Sequence, residues 1–347
     1  MTVGSITQEM GHLNIAYLVA SNTLSGGLRV VMQQAHGLTA RGHVVTLVCP
    51  DPPPDWFPLG KVRWDTSDFA SSTALGQADV RIATFWNTVS PAFKDFRGPI
   101  FHLCQGYEAD FSFYASVKKK IESAYRMPTH KLAIAPHLIN RLEVLGHTPV
   151  SYIGQTFEPS EFPPALNRTF DQSLPIILVV GIFEADVKGV REALTALAEL
   201  RRLGVPFCLR RVSMLPPTQK ETDLIAADEY HIQLPPWQMG EVYRTSDLLI
   251  GPSHPEEGFG LPVLESLASG LPALLSDTPG HHHIAGEAAE YFPCASIPAL
   301  ASQCAALLSC ASRRAQLSSR GPRQAGRFST SLVIDRLVAV FREVLMK

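Results

Sequence analysis

Continuous apolar runs of strand length alternate with amphipathic stretches along most of the chain. Residues 14–20, NIAYLVA, form such a run, the mark of a strand buried on both faces of a parallel sheet. SNTLSGG follows, then LRVVMQQAHGLTARG, in which Leu28, Val31, Met32, Ala35 and Leu38 recur at helical spacing. Gly42 closes that helix and VVTLVC is the next strand. This β–glycine loop–α–β opening is the first unit of a doubly wound fold. The pattern predicts further strands at 80–84, 99–103, 131–135 and 150–153, and helices at 112–126 and 137–145. Between 156 and 173 the chain turns polar, with Pro159, Pro163 and Pro164, which reads as a linker. A second β/α series then runs from PIILVVG through VREALTALAELRRLG, FCLRRV, HIQLP, GEVYRTS, DLLIGPS, PVLESLASG and PALLSD to IPALASQCAALLSC. Strands alternating with helices on both sides of a linker predict an α/β protein of two Rossmann-like, doubly wound domains with a cleft between them. The expected division is 1–165, with 1–12 a disordered extension, then 166–328, then an amphipathic helix over 329–347.

One stretch concentrates the chemistry: SHPEEGFGLPVLESLASGLP, residues 253–272. Pro262 stands where a helix should start, a position at which its missing N–H costs nothing, and Gly270 is a natural residue beyond the helix end. Gly258 and Gly260 precede the start, so free backbone N–H groups and the positive end of a helix dipole converge on one point, an anion site. Glu265 lies about one turn into the helix and Glu257 before the glycines. Two carboxylates that bracket a phosphate pocket point to a ligand with hydroxyls at both ends, such as a nucleotide sugar.

Other candidates sit at the carboxyl ends of predicted strands, where open α/β sheets bind ligands. Lys188 follows the strand at 176–181 and can neutralise a phosphate as a point charge. Gly26 and Gly27 stand where backbone can approach a ligand, or simply make a tight turn. Gln105, Tyr107 and Glu108 follow the strand at 99–103, and His102 stands near its end. His137 opens the next helix, where it contacts a ligand or only caps. His281–His283 reads as a histidine-rich loop from which His282 or His283 can touch a ligand, since adjacent residues rarely aim three imidazoles at one metal. Lys118, Lys119 and Lys120 are a solvated face or an attraction to anionic lipid.

Composition narrows the partners. A net charge of −2 over 347 residues lacks the basic excess of nucleic-acid binders. The six cysteines are scattered without CxxC pairs, which reads as reduced thiols in a cytoplasmic protein. No apolar run reaches the ~18 residues of a membrane span, and the N-terminus lacks the features of a signal peptide. GxGxxG is missing, so a nicotinamide dinucleotide is not indicated, and no GxSxG, HExxH or P-loop signature is present.

Taken together, these residues resemble the family 4 glycosyltransferases, retaining enzymes of the GT-B fold. EGFGLPVLE, Glu257 to Glu265, matches their E-x7-E motif at each defining position. SGGLRVVMQQAHGLTARGH is similar to the family's amino-terminal glycine loop and helix, VYRTSDLLIGPS to the segment before the motif, and VKG to its lysine loop. The resemblance implies a hexosyl-type transferase that moves a sugar from a nucleotide-diphosphate donor to an acceptor hydroxyl of a glycan, glycolipid or small glycoside. It also implies that the last helix returns to the amino-terminal domain.

In the same reading, Glu257 contacts hydroxyls of the transferred sugar and Glu265 holds the ribose. Lys188 and the backbone of Gly258, Phe259, Gly260, Leu261, Pro262 and Val263 bind the diphosphate, bordered by Gly26 and Gly27. The acceptor enters near Gln105, Glu108, His102 and His137. No metal is expected, and Lys118–Lys120 would favour weak attachment to the inner face of an anionic membrane.

Two positions depart from the family. Ile182 stands where an arginine is usual, leaving Arg210 or Arg211 to compensate, and Gln105 replaces a histidine. A phosphorylase, a sugar-nucleotide epimerase, or a silent nucleotide-sugar-binding protein are the alternative readings.

Overall fold

The structure, a computed structural model, describes residues 11–146, 148–165 and 168–346; the extension expected over 1–12 lies almost wholly outside them. The chain divides into two compact units. Unit 1 comprises Met1–Ala109, Val117–Phe157 and Ser329–Lys347, and unit 2 comprises Asp110–Ser116 and Glu158–Phe328.

Unit 1 is built on a parallel sheet of seven strands: β1 (Asn14–Leu18), β2 (Val44–Cys49), β3 (Arg63–Thr66), β4 (Val80–Ala83), β5 (Ile100–Cys104), β6 (His130–Ala133) and β7 (Val150–Tyr152). Their spatial order is β3-β2-β1-β4-β5-β6-β7, the doubly wound order with its reversal between β1 and β4. β1 follows directly from the NIAYL run, and Tyr17 and Leu18 are wholly buried between layers. The helix α1 (Gly26–Ala40) starts where Ser25 accepts the Leu28 N–H at 3.2 Å, an N-cap that satisfies one orphan donor. α2 (Thr73–Gly76), α3 (Trp86–Ala92), α4 (Lys118–Tyr125) and α5 (Pro136–Glu143) make the remaining connections. The last helix of the chain, Thr330–Leu345, belongs to this unit and packs on α1, where a Cβ at Gly37 would lie 2.4 Å from the Ile334 side chain. Its first N–H is bonded to the Phe157 carbonyl at 2.9 Å.

Unit 2 repeats the plan with six parallel strands: β8 (Ile176–Val180), β9 (Cys208–Ser213), β10 (Glu229–Ile232), β11 (Leu248–Gly251), β12 (Ala273–Ser276) and β13 (Glu290–Phe292). The order is β10-β9-β8-β11-β12-β13, so the reversal falls between β8 and β11. α6 (Val190–Arg202), α7 (Gln219–Leu224), α8 (Pro236–Arg244), α9 (Leu261–Ala268), α10 (Pro279–Ala285), α11 (Ile297–Leu308) and α12 (Ala311–Ala325) cover its faces; the final helix of unit 1 is α13. One core joins Val179, Leu194, Leu197, Ile250 and Leu300. This two-sheet architecture is the GT-B fold.

The differences from the sequence pattern have local causes. β3, with sequence RWDT, is a half-exposed edge strand and carries no apolar signal. The helix expected over 112–126 is a 3-10 turn (Ser112–Val117) followed by α4; no side-chain cap starts α4, and Phe111, Phe113 and Tyr114 gather into a ring cluster instead. The predicted histidine loop is helix α10, because Thr278 caps it by accepting the His281 N–H at 3.3 Å and Pro279 suits the first turn. α12 has a polar sequence but presents Arg314, Leu317, Gly321 and Ala325 to the unit's interior.

Helix α12 supports α9 from behind. A Cβ at Gly321 would stand 2.6 Å from the Leu267 carbonyl oxygen, so only glycine allows this approach. Gly321→Ala should therefore lower stability by about 1–3 kcal/mol through overpacking. Urea denaturation checks this, and an unchanged midpoint would contradict the close packing.

Candidate active site

In an open parallel sheet the loops after the two strands flanking the reversal diverge and leave a crevice at their carboxyl ends. In unit 2 those strands are β8 and β11. The loop after β8 carries Lys188 and the loop after β11 carries Glu257. The Lys188 ammonium donates to the Glu257 carboxylate at 2.8 Å, with side-chain exposures of 36% and 16%. The two loops are fastened to each other by backbone: the His254 N–H bonds the Val187 carbonyl at 2.9 Å. His254 also reaches Glu192 at 3.1 Å. Lys188 ends a 3-10 turn, Asp186–Lys188, whose next residue, Gly189, has φ +60°. A Cβ at Gly189 would fall 2.1 Å from the Pro252 carbonyl oxygen, so sterics and the left-handed φ both demand glycine there.

The Glu257 loop leads straight into α9. Gly260 is the N-cap, with φ +90°, and Leu261 is the first helical residue, so Pro262 takes the second place rather than the predicted first. Neither position requires a donor from proline. Phe259 turns inward, its ring 5.7 Å from that of Phe328 and 6.3 Å from that of His283. Val263 is buried beneath the helix start. Glu265, 4% exposed, accepts a hydrogen bond from the Tyr243 hydroxyl at 2.7 Å. Tyr243 was not anticipated; its spacing within α8 carries no signal that it faces α9.

Nothing in the sequence sets His281 apart from His282 and His283, and it too was not anticipated. It is 1% exposed, and its Nδ1 lies 2.9 Å from the Ser276 carbonyl. His282 stacks on Tyr291 with centroids 4.0 Å apart and reaches Asp277 at 2.7 Å. His283 packs against Phe259 and Phe328.

Arg210 requires a correction. Its guanidinium donates to Glu229 at 2.6 Å, Thr245 at 2.7 Å and Ser246 at 3.0 Å. Thr245 and Ser246 precede β11, so this group works at the amino edge of the sheet, opposite the edge that carries Lys188. Arg211 does not replace the arginine that Ile182 displaces either. Fully buried, it bonds Glu221 at 2.8 Å and the Val179 and Gly181 carbonyls at 2.7 and 2.9 Å. Both arginines build the scaffold.

In unit 1, the Gln105 amide donates to the Gly27 carbonyl at 3.0 Å, which brings two predicted residues together beside the start of α1, where Gly26 is the first helical residue. His137 is half-buried in the first turn of α5. His102 cannot meet a substrate as expected: it is wholly enclosed against the Tyr125 ring at 4.6 Å. Burial, aided by Lys131, pushes its imidazole down to about 3, which keeps it neutral. Glu108 is likewise buried rather than open.

Among the described residues no group of three or more His, Cys, Asp or Glu side chains is placed to hold a metal ion.

Comparison with known proteins bears on the fold. Residues 167–324 match the family described as glycosyl transferases group 1. None of the curated proteins matches the sequence. Among solved structures, the chain is similar to Anabaena HepE in complex with UDP and glucose, at 12% identity over 95% of this chain and 100% of that one, TM-score 0.76. It is similar to sucrose-phosphate synthase from Thermosynechococcus elongatus, at 16% identity over 96% and 99%, TM-score 0.74. It also resembles WaaG, a glycosyltransferase involved in lipopolysaccharide biosynthesis, at 17% identity over 94% and 99%, TM-score 0.72. At these identities the likeness shows the shared fold.

Glu108 offers a test independent of substrate. The Tyr125 hydroxyl lies 3.0 Å from the Gly106 carbonyl and 2.5 Å from the Glu108 carboxyl, but has one proton to donate. Glu108 is enclosed, with the Tyr125 hydroxyl donating to its carboxyl. Burial raises its carboxyl from 4.5 to about 7, opposed by the Tyr125 bond. The folded state thus binds the proton more tightly, and stability falls as pH rises from about 4.5 to about 7. The full penalty is on the order of 3 kcal/mol. Glu108→Gln should remove this slope and exceed the wild type in stability at pH 8 but not at pH 4.5; parallel pH profiles in urea melts would contradict it.

Proposed function

We propose that the protein is a retaining glycosyltransferase that moves a hexosyl group from a nucleotide-diphosphate sugar to an acceptor hydroxyl. The observation that carries this reading is the Lys188–Glu257 pair at 2.8 Å, set at the sheet reversal beside the start of α9. As the anomeric carbon–oxygen bond breaks, negative charge grows on the departing diphosphate. Lys188 and the N–H groups leading into α9 are fixed in position before that charge forms, the preorganisation that supplies much of an enzyme's rate. Glu257, bound to Lys188, holds the ammonium in place and offers its carboxylate to hydroxyls of the transferred sugar. Glu265, oriented by Tyr243, takes the ribose. These protein charges fill the role that a divalent metal serves in other transferases, and we assign no metal.

Unit 1 would receive the acceptor near Gly27 and Gln105, with His137 as an outlying contact. Gln105 has no basic nitrogen, which accords with a reaction that does not depend on a strong base at the acceptor. We also propose weak attachment to an anionic, inner membrane surface through Lys118, Lys119 and Lys120, all exposed at the start of α4. No helix among the described residues is long and apolar enough to cross a membrane. HepE bound to UDP and glucose supports a uridine donor as the first to try.

Ile182, together with two arginines spent on the scaffold, favours one rival: a silent nucleotide-sugar-binding protein. Turnover separates the two. With UDP-, GDP-, ADP- and dTDP-sugars, release of free nucleoside diphosphate is expected from at least one, slowly to water and faster with acceptor. Lys188→Ala should lower kcat/KM by about 10²–10³-fold, the usual loss for a preorganised charge partner. A nucleotide sugar that raises Tm yet is never cleaved would sink the enzyme reading.

A further inference from the structure

The donor site just described is short of positive charge. A nucleotide sugar's diphosphate carries two negative charges at neutral pH. Against them stands Lys188, which is already paired with Glu257. Ile182 is apolar, and Arg210 and Arg211 are bonded elsewhere. Arg191, near the same turn, lies over the Phe183 ring with its guanidinium carbon 5.2 Å from the centroid. The dipole of α9 supplies only a fraction of a charge.

One buried polar group faces this start of α9 with an atom to spare. His281 is 1% exposed. Its Nδ1 is 2.9 Å from the Ser276 carbonyl, an acceptor only, so Nδ1 carries a proton. The other nitrogen, Nε2, is buried and makes no hydrogen bond among the described residues. It is turned toward the N-cap of α9: a Cβ added at Gly260 would lie 3.8 Å from Nε2. A basic nitrogen without a partner is costly to bury and calls for an occupant.

We propose that His281 is a donor-binding residue that takes up a proton from solvent when the nucleotide sugar binds, and then donates from Nε2 to a diphosphate oxygen. This rests on the proposed function, because it names the charge partner of that same diphosphate. The reaction is a simple protonation: neutral imidazole plus one solvent proton gives imidazolium, and no bond other than N–H forms. Before binding, burial keeps the ring neutral, reinforced by Lys188 and His282 and opposed by Glu257 and the Ser276 carbonyl. These groups face it from the loops after β8 and β11, from its own helix and from β12; α9 presents Val263, which is apolar. An incoming diphosphate reverses the balance. The Nδ1 bond to Ser276 keeps the ring aimed throughout, since it persists in both protonation states.

Calorimetry in two buffers of different ionisation enthalpy measures protons taken up per ligand. Nucleotide sugars are the probe, because their phosphodiester oxygens do not titrate near neutrality. For whichever of the UDP-, GDP-, ADP- or dTDP-sugars binds, the wild type at pH 7.5 should take up a large fraction of one proton, and its affinity should weaken as pH rises. His281→Leu, which keeps an apolar filling beside Gly251 and Ile284, should abolish the uptake and weaken binding by about 10- to 100-fold, the worth of one charged hydrogen bond. Its Tm reports folding separately, and the wild-type measurement decides the matter even if the variant fails to fold. Binding without proton uptake by the wild type, or uptake unchanged in His281→Leu, overturns the proposal while leaving the functional reading intact. Failure of all four nucleotide sugars to bind would overturn that reading as well.

Discussion

The site depends on an ion pair formed between two loops that the sheet topology makes neighbours. Lys188 follows β8 and Glu257 follows β11, the strands on either side of the reversal, and they meet at 2.8 Å. A partly buried pair of this kind contributes little net stability, since desolvation offsets most of the attraction. Its effect is positional. The backbone bond from His254 to Val187 and the contact between Gly189 and Pro252 hold both loops before any ligand arrives. Helix α9 then starts at the end of the Glu257 loop, braced by α12, so that charge, dipole and carboxylates converge on one volume.

The scaffold uses charges as freely as the site does, which is why residue type alone misled at two arginines. Arg210 and Arg211 are adjacent on β9, so their side chains leave opposite faces of the sheet. One reaches Glu229, Thr245 and Ser246 at the amino edge, and the other Glu221 and the Val179 and Gly181 carbonyls. A buried guanidinium needs many acceptors, and here backbone and carboxylates provide them. What remains near α9 is a site whose lysine is already paired with Glu257, and that electrostatic shortfall is what gives His281 its significance.

Much of this was legible in the sequence. Buried parallel strands are continuous apolar runs, so β1, β8, β11 and their partners could be located, and with them the loops that carry Lys188 and Glu257. Glycines and Pro262 marked the start of α9 to within one residue. Less visible were features decided by long-range packing. Polar β3 and α12 gave no apolar signal. His102 and Glu108 follow or end a strand as binding residues do, yet their side chains turn into the interior against Tyr125. Tyr243 lies far in sequence from the Glu265 that it touches, and no local pattern links a histidine of α10 to the cap of α9.

The proposed function puts the donor diphosphate at the start of α9, against the Lys188 ammonium, with the transferred sugar on Glu257. The most direct measurement is a crystal structure of the full chain with an intact nucleotide sugar bound, using an unreactive 2-fluoro donor. The account predicts a diphosphate oxygen within hydrogen-bond distance of the Lys188 ammonium, a second on the N–H groups at residues 259–261, and a sugar hydroxyl on Glu257. A diphosphate bound elsewhere, with the Lys188–Glu257 pair unaltered and untouched, would contradict it.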